Sequence, residues 1–179
     1  MPESARAGAS PVILLPDAGP LITLAYASGL DLLLKPGWPV RIVDMVLNEV
    51  TRNVTPTSEQ IGRWVEQHAI TVAPTRTYQH YQAQQVEQPG VASKANLGEF
   101  AIQEVMHDMA LSEPDSVGVF LFEDHKIARA SFLVPENGRK VSTRAFLQFL
   151  EGNGWIPCAQ SVERAAINNG RCFSQIRFP

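Results

Sequence analysis

The fold is decided by the stretch Val12-Ile13-Leu14-Leu15-Pro16-Asp17-Ala18-Gly19-Pro20. Its first four residues are apolar and partly β-branched, which is typical of a buried strand. Pro20 suits the first turn of a helix, so the chain is expected to pass from strand to helix around Asp17. A carboxylate after a buried strand is costly to desolvate unless a cation or hydrogen-bond donors lie beside it. Asp17 is therefore a candidate site residue.

Further strands alternate with helical segments along the chain. The run from Val117 to Phe122 is the clearest of them, and shorter candidates lie at Val40 to Val43, at Ile70 to Ala73 and before Val141. This alternation predicts an α/β fold: a three-layer, Rossmann-like domain with a central, mostly parallel sheet and helices on both faces. Functional groups in such domains gather at the carboxyl ends of the strands.

Four acidic residues are placed where they can form one site. Asp17 and Asp124 follow predicted strands, whereas Glu49 and Glu99 lie among apolar residues in helical stretches. Carboxylate oxygens suit hard cations, so the four acids, brought together by folding, would bind Mg²⁺ or Mn²⁺.

The composition favours one compact domain. The chain has 179 residues, of which 45% are hydrophobic and 18% charged, enough for a sizeable core. A formal net charge of −3 argues against a protein that coats nucleic acid through charge alone. No stretch reaches the roughly 18 apolar residues of a membrane span. With Cys158 and Cys172 expected to be reduced, we predict a soluble, cytoplasmic protein without a membrane partner.

Several segments together resemble the PIN-domain ribonucleases, most closely the toxin-type (VapC-like) members of toxin–antitoxin pairs. The resemblance covers residues 12–157, and its order follows the family pattern. The segments that carry it are Leu15-Pro16-Asp17-Ala18-Gly19-Pro20-Leu21-Ile22, Val46-Leu47-Asn48-Glu49-Val50, Leu97-Gly98-Glu99-Phe100-Ala101-Ile102, Phe122-Glu123-Asp124-His125-Lys126-Ile127-Ala128-Arg129 and Val141-Ser142-Thr143-Arg144-Ala145-Phe146-Leu147.

The resemblance implies a function as well as a fold. It implies a metal-dependent endoribonuclease in which Asp17, Glu49, Glu99 and Asp124 bind Mg²⁺ or Mn²⁺ and catalyse hydrolysis of RNA. It also implies a homodimer, a small antitoxin partner and a PIN-like domain over residues 11–157. Residues 1–10 would be a flexible tail, and residues 158–179 an extension packed on the domain or on a partner.

Candidate substrate contacts lie close in sequence to these elements. Thr143 resembles the hydroxyl residue near the metal site of the family, and Lys94, Arg129 and Arg144 are cations suited to RNA phosphates. The Gln-rich stretch from Thr75 to Ser93 is expected to be polar and partly helical. Its aromatic side chains would either stack on bases or cover apolar surface.

Each acid also has a structural alternative. Asp17 and Asp124 could cap the helices that follow them, since Asp is a favoured cap residue. Glu49 could form an ion pair with Arg52, three residues further along a helix. Asn96 and Glu99 have the spacing of a capping box. Adjacent side chains of an extended chain point to opposite sides, so Glu123 would point away from Asp124. Whether Glu123 reaches the site is left open. At the level of function, the alternatives are a housekeeping RNA-processing nuclease and a catalytically degenerate binding module.

Overall fold

The computed structural model describes residues 10–89, 96–123 and 133–172. Its strands, numbered in chain order, are β1 (Val12–Pro16), β2 (Arg41–Val43), β3 (Thr71–Ala73), β4 (Val117–Phe122) and β5 (Gly138–Ser142). The helices are α1 (Ala18–Tyr26), α2 (Asp44–Thr51), α3 (Pro56–Gln67), α4 (Arg76–Glu87), α5 (Leu97–Ser112), α6 (Thr143–Gly152) and α7 (Ala159–Asn168), with a short 3₁₀ helix at Leu30–Leu34.

The sheet is parallel throughout its described strands. Strands β1, β4 and β5 pair in that order, and β2 pairs with β3. A parallel bridge between Leu14 and Val40 joins the two groups, and the Leu14 N–H donates to the Pro39 carbonyl at 2.9 Å. The resulting order is β3-β2-β1-β4-β5. The predicted α/β architecture, with its central parallel sheet flanked by helices, is confirmed.

The strand order reverses between β1 and β4. From β1 the chain moves outward to β2 and β3, and it later returns to place β4 and β5 on the other side of β1. In register, Pro16 lies opposite Leu121, and Phe122 opposite Ser142. The carboxyl ends of β1, β4 and β5 therefore lie side by side at the point where open α/β sheets usually bind ligands.

The helices begin where local sequence satisfies their first N–H groups. In α3, Thr55 and Ser58 form a reciprocal capping box, with Pro56 in the first turn. In sequence, Thr57-Ser58-Glu59-Gln60 also has the pattern of a capping box, but the box that forms begins two residues earlier. In α4, the Thr75 hydroxyl accepts from the Tyr78 N–H at 3.1 Å, which starts a helix in the Gln-rich stretch.

The core is one cluster between the sheet and the helices. Strands and helices both contribute side chains with no exposed surface, among them Leu14, Leu21, Ile42, Ile102, Leu121 and Leu147. Among the residues that the structure describes, no helix has the length and apolar character needed to cross a membrane.

The C-terminal extension packs on the domain. Helix α7 lies against α1 and α6. The Asn169 side-chain amide donates to the Tyr26 carbonyl at 2.7 Å, and Arg144 of α6 forms a bidentate ion pair with Glu163 of α7, at 3.0 and 3.2 Å. The described part of the extension is therefore joined to both α1 and α6 by side-chain contacts. The predicted N-terminal tail lies outside the described residues, apart from Ser10.

Candidate functional site

Three buried polar residues directly follow three neighbouring strands. Asp17 follows β1, Glu123 follows β4 and Thr143 follows β5; their exposed fractions are 1%, 5% and 3%. The Asp17 N–H donates to the Leu121 carbonyl at 2.9 Å, which continues the β1–β4 pairing by one residue. We call these three residues, together with Thr23, the carboxyl-edge cluster.

Asp17 occupies the cap position of α1 without acting as a side-chain cap. Its backbone is extended, with φ −77° and ψ 172°, and its carboxylate makes no cap hydrogen bond to α1. The capping alternative for Asp17 is therefore wrong. A buried carboxylate that does not serve its own helix remains a candidate for ligand binding.

Glu123 lies over the first two turns of α1. Gly19 and Thr23, one helical turn apart, face it: a Cβ at Gly19 would overlap Glu123 Cγ, and the Thr23 hydroxyl donates to Glu123 Oε1 at 2.7 Å. The Thr143 hydroxyl lies 3.3 Å from the same oxygen and 3.1 Å from the Phe122 carbonyl. Glu123 is thus held in the site by residues from α1 and from the start of α6.

Sequence reasoning missed this role of Glu123. The alternation of side chains along a strand did not decide where the Glu123 side chain points. Glu123 is the first residue after β4, and the alternation no longer applies there. One signal was present: Glu123 follows β4 directly, as Asp17 follows β1. The small residues Gly19 and Thr23, spaced by four, are a second signal, because that spacing leaves room for a side chain against one helix face.

Glu49 lies against the start of α5. Its Oε1 accepts from the Gly98 N–H at 3.2 Å, so the carboxylate occupies the favourable N-terminal end of the helix. A Cβ at Gly98 would lie 2.9 Å from Glu49 Oε2. Glycine at this position permits the close approach.

The predicted capping box of Asn96 and Glu99 is not formed. Asn96 has left-handed backbone, with φ +73°, and its side chain makes no cap hydrogen bond to α5. Glu49, from another helix, supplies the acceptor instead. Glu99 lies in the first turn of α5 and is partly exposed. Glu49 and Glu99 therefore flank the same helix end.

Some of the predicted site residues lie outside the described part of the chain: Asp124, Lys94 and Arg129. Within residues 10–89, 96–123 and 133–172, no three His, Cys, Asp or Glu side chains are grouped closely enough to hold a metal ion. Arg144, predicted to contact substrate, is engaged by Glu163. Two of the predicted site residues, Asp17 and Thr143, belong to the carboxyl-edge cluster.

The chain was compared with models of protein families, with curated proteins and with solved structures, and none of them matches it.

Proposed function

We propose that this chain is a metal-dependent ribonuclease of the PIN type, which hydrolyses RNA phosphodiester bonds at the carboxyl edge of its sheet. The observation that carries the proposal is the pair of buried carboxylates, Asp17 and Glu123, at the ends of adjacent parallel strands. Carboxylates at the ends of neighbouring parallel strands can supply oxygen ligands to one hard cation. The place is also the switch point of the sheet, where ligands bind.

The donors at this edge fit a hard divalent cation. Asp17 and Glu123 offer carboxylate oxygens, and Thr23 and Thr143 add hydroxyls that hold Glu123 in position. Oxygen donors of this kind suit Mg²⁺ or Mn²⁺. In our proposal Asp17 and Glu123 would hold the ion. The family resemblance adds Asp124, Glu99 and Glu49 to the acidic site; of the described residues among these, the Glu49 carboxylate and Glu99 lie at the start of α5 and are not grouped with the Asp17–Glu123 pair.

The residues have separate roles in the proposed reaction. When bound, a divalent ion activates a water molecule for attack on phosphorus and neutralises charge on the leaving oxygen. Asp17 and Glu123 would hold the ion, and their burial limits the access of bulk water. Glu49 is oriented by the Gly98 N–H, which holds its carboxylate at the start of α5. The mechanism requires no nucleophile from the protein.

We further propose that the protein is the cytoplasmic toxin of a toxin–antitoxin pair and acts as a homodimer. This part rests on the resemblance to toxin-type members. A small antitoxin would present Arg or Lys to the carboxylates and compete with the cation for the same negative charge. A short open reading frame adjacent to the gene is the expected genomic observation; a gene without such a neighbour would favour an RNA-processing role.

Replacing Asp17 tests the proposal directly. In Mg²⁺, Asp17→Asn is expected to lower RNA cleavage by at least about 100-fold, the scale on which one electrostatic stabiliser acts, while thermal unfolding stays cooperative. Glu123→Gln and Glu99→Gln should also lose activity. Asp115→Asn, at an exposed position, is the matched control and should cut like the parent. Cleavage by Asp17→Asn at the parental rate would show that this site is not catalytic.

A further inference from the structure

The C-terminal extension ends in a turn that fixes the position of Arg171. After α7 the Gly170 N–H donates to the Ile167 carbonyl at 3.0 Å, and the Arg171 N–H donates to the Ala166 carbonyl at 2.9 Å. Gly170 has φ +103°. This is the Schellman arrangement, in which a left-handed glycine reverses the chain after a helix. Arg171 is therefore held by backbone hydrogen bonds as well as by its side chain.

Arg171 reaches the carboxyl-edge cluster through Thr23. Its Nε–H donates to the Thr23 hydroxyl oxygen at 2.9 Å, and that hydroxyl donates to Glu123 Oε1 at 2.7 Å. The two hydrogen bonds join residues 148 and 100 positions apart in sequence. The extension thus connects with a carboxylate of the proposed active site.

The direction of this chain of hydrogen bonds is set by chemistry. A guanidinium only donates, so Thr23 must accept from Arg171. The single hydroxyl proton of Thr23 is then left for Glu123, a carboxylate that only accepts when ionised. The Thr23 hydroxyl accepts one of these hydrogen bonds and donates the other, so the two bonds polarise one another, and the charge of Arg171 strengthens the inner bond. Arg171 therefore fixes both the rotamer and the proton of Thr23.

We propose that Arg171 is a positioning residue, which acts through Thr23 to hold the Glu123 carboxylate in place. The active site is then complete only when the C-terminal extension is docked. The consequence for metal binding rests on the proposed function, whereas the hydrogen-bonded coupling of Arg171, Thr23 and Glu123 does not.

Replacing Arg171 should not undock α7, because other contacts hold this helix in place. The Asn169 amide on Tyr26 and the Arg144–Glu163 ion pair anchor the extension independently. Arg171→Met should therefore leave α7 in place while removing the donor to Thr23. Thr23→Val removes the hydroxyl at nearly constant shape, and Thr23→Ser restores it. Arg164→Met, at an exposed position of α7, is the matched control.

The experiment measures Mn²⁺ binding to the full chain by isothermal titration calorimetry. Residues that orient metal ligands typically change metal affinity by 10–100-fold, so Arg171→Met and Thr23→Val should each weaken Mn²⁺ binding by about tenfold. The double variant should be about as weak as either single variant, since both break one chain of contacts. Thr23→Ser and Arg164→Met should bind like the parent.

A second measurement tests the coupling without metal. In a double-mutant cycle on thermal unfolding in EDTA, the effects of Arg171→Met and Thr23→Val should be less than additive. Additive effects in both measurements, or parental Mn²⁺ affinity in Arg171→Met, would overturn the inference. A parent protein that binds no Mn²⁺ but keeps the non-additive unfolding would instead overturn the proposed function and leave the positioning of Glu123 standing.

Discussion

At the scale of single residues, the site depends on glycines that admit carboxylates to close contact. Gly19 leaves room for Glu123, and Gly98 leaves room for Glu49. In both cases the glycine lies in the first turn of a helix, and the acid comes from a distant part of the chain. The two glycines can be located in the sequence, but the sequence does not indicate which carboxylate packs against each of them.

Gly98→Ala is expected to separate activity from stability. The added Cβ would lie 2.9 Å from Glu49 Oε2 and 3.2 Å from Val46 Cγ2, so the flexible carboxylate should move away from α5. Alanine favours helix over glycine by up to about 1 kcal/mol, which offsets part of the strain. RNA cleavage should therefore fall, while the free energy of unfolding changes by less than about 1 kcal/mol.

Gly62→Ala is the control for this change. Gly62 lies within α3 and has open space around its Cα, so alanine should stabilise the protein by up to about 1 kcal/mol and leave cleavage unchanged. Parental activity in Gly98→Ala would show that the position of Glu49 does not matter to the reaction.

At the scale of elements, α4 is attached to α5 through the carboxylate of Glu104. The backbone N–H groups of Arg76 and Thr77 donate to it at 2.8 and 3.1 Å, and the side chains of both residues add further hydrogen bonds. Burial raises the pKa of Glu104, but these hydrogen bonds outweigh it and hold the pKa below its ordinary value. Glu104 thus supplies the acceptor for the first turn of α4.

The stability contributed by Glu104 should depend on pH. Because its pKa is lower in the folded state, the contribution is complete above the ordinary glutamate pKa of about 4.3 and is lost as pH falls through the lowered value. Glu104→Gln should therefore destabilise the protein by about 1 kcal/mol at pH 7, and the difference from the parent should shrink in acid. Chemical denaturation from pH 7 to pH 3 measures this.

Glu59→Gln is the comparison for that titration. Glu59 is exposed and paired only loosely with Arg63, at 3.7 Å. Its replacement should change the free energy of unfolding at pH 7 by less than about 0.5 kcal/mol, because exposed ion pairs contribute little. A parent–variant difference for Glu104→Gln that stays constant down to pH 3 would contradict the assigned cause.

The elements themselves were largely readable from the sequence. The strands at β1, β2, β3 and β4 were predicted because apolar, β-branched runs end at clear breaking residues. Two expected capping boxes were wrong: the box of α3 begins at Thr55, and α5, which does begin at Leu97, receives its acceptor from Glu49 and not from Asn96. Local spacing predicts a local cap, and it contains no information on a carboxylate from another helix.

At the scale of the whole molecule, the arrangement of the site follows from the strand order. The order β3-β2-β1-β4-β5 brings Asp17, Glu123 and Thr143 to one edge, although they are far apart in sequence. The rule that functional groups gather at the carboxyl ends of parallel strands predicted Asp17, whereas Thr143 was expected from the family resemblance. It did not predict Glu123 or Arg171, because their contacts depend on how α1, β4 and the C-terminal extension pack together.

The most direct test of the proposed metal site is the position of a bound ion. Crystals of the parent protein soaked in Mn²⁺ should give an anomalous difference peak within about 2.0–2.6 Å of carboxylate oxygens of Asp17 and Glu123. The peak should be absent in Asp17→Asn crystals treated alike. A Mn²⁺ peak elsewhere in the protein, or none at the carboxyl edge at millimolar Mn²⁺, would contradict the proposed site.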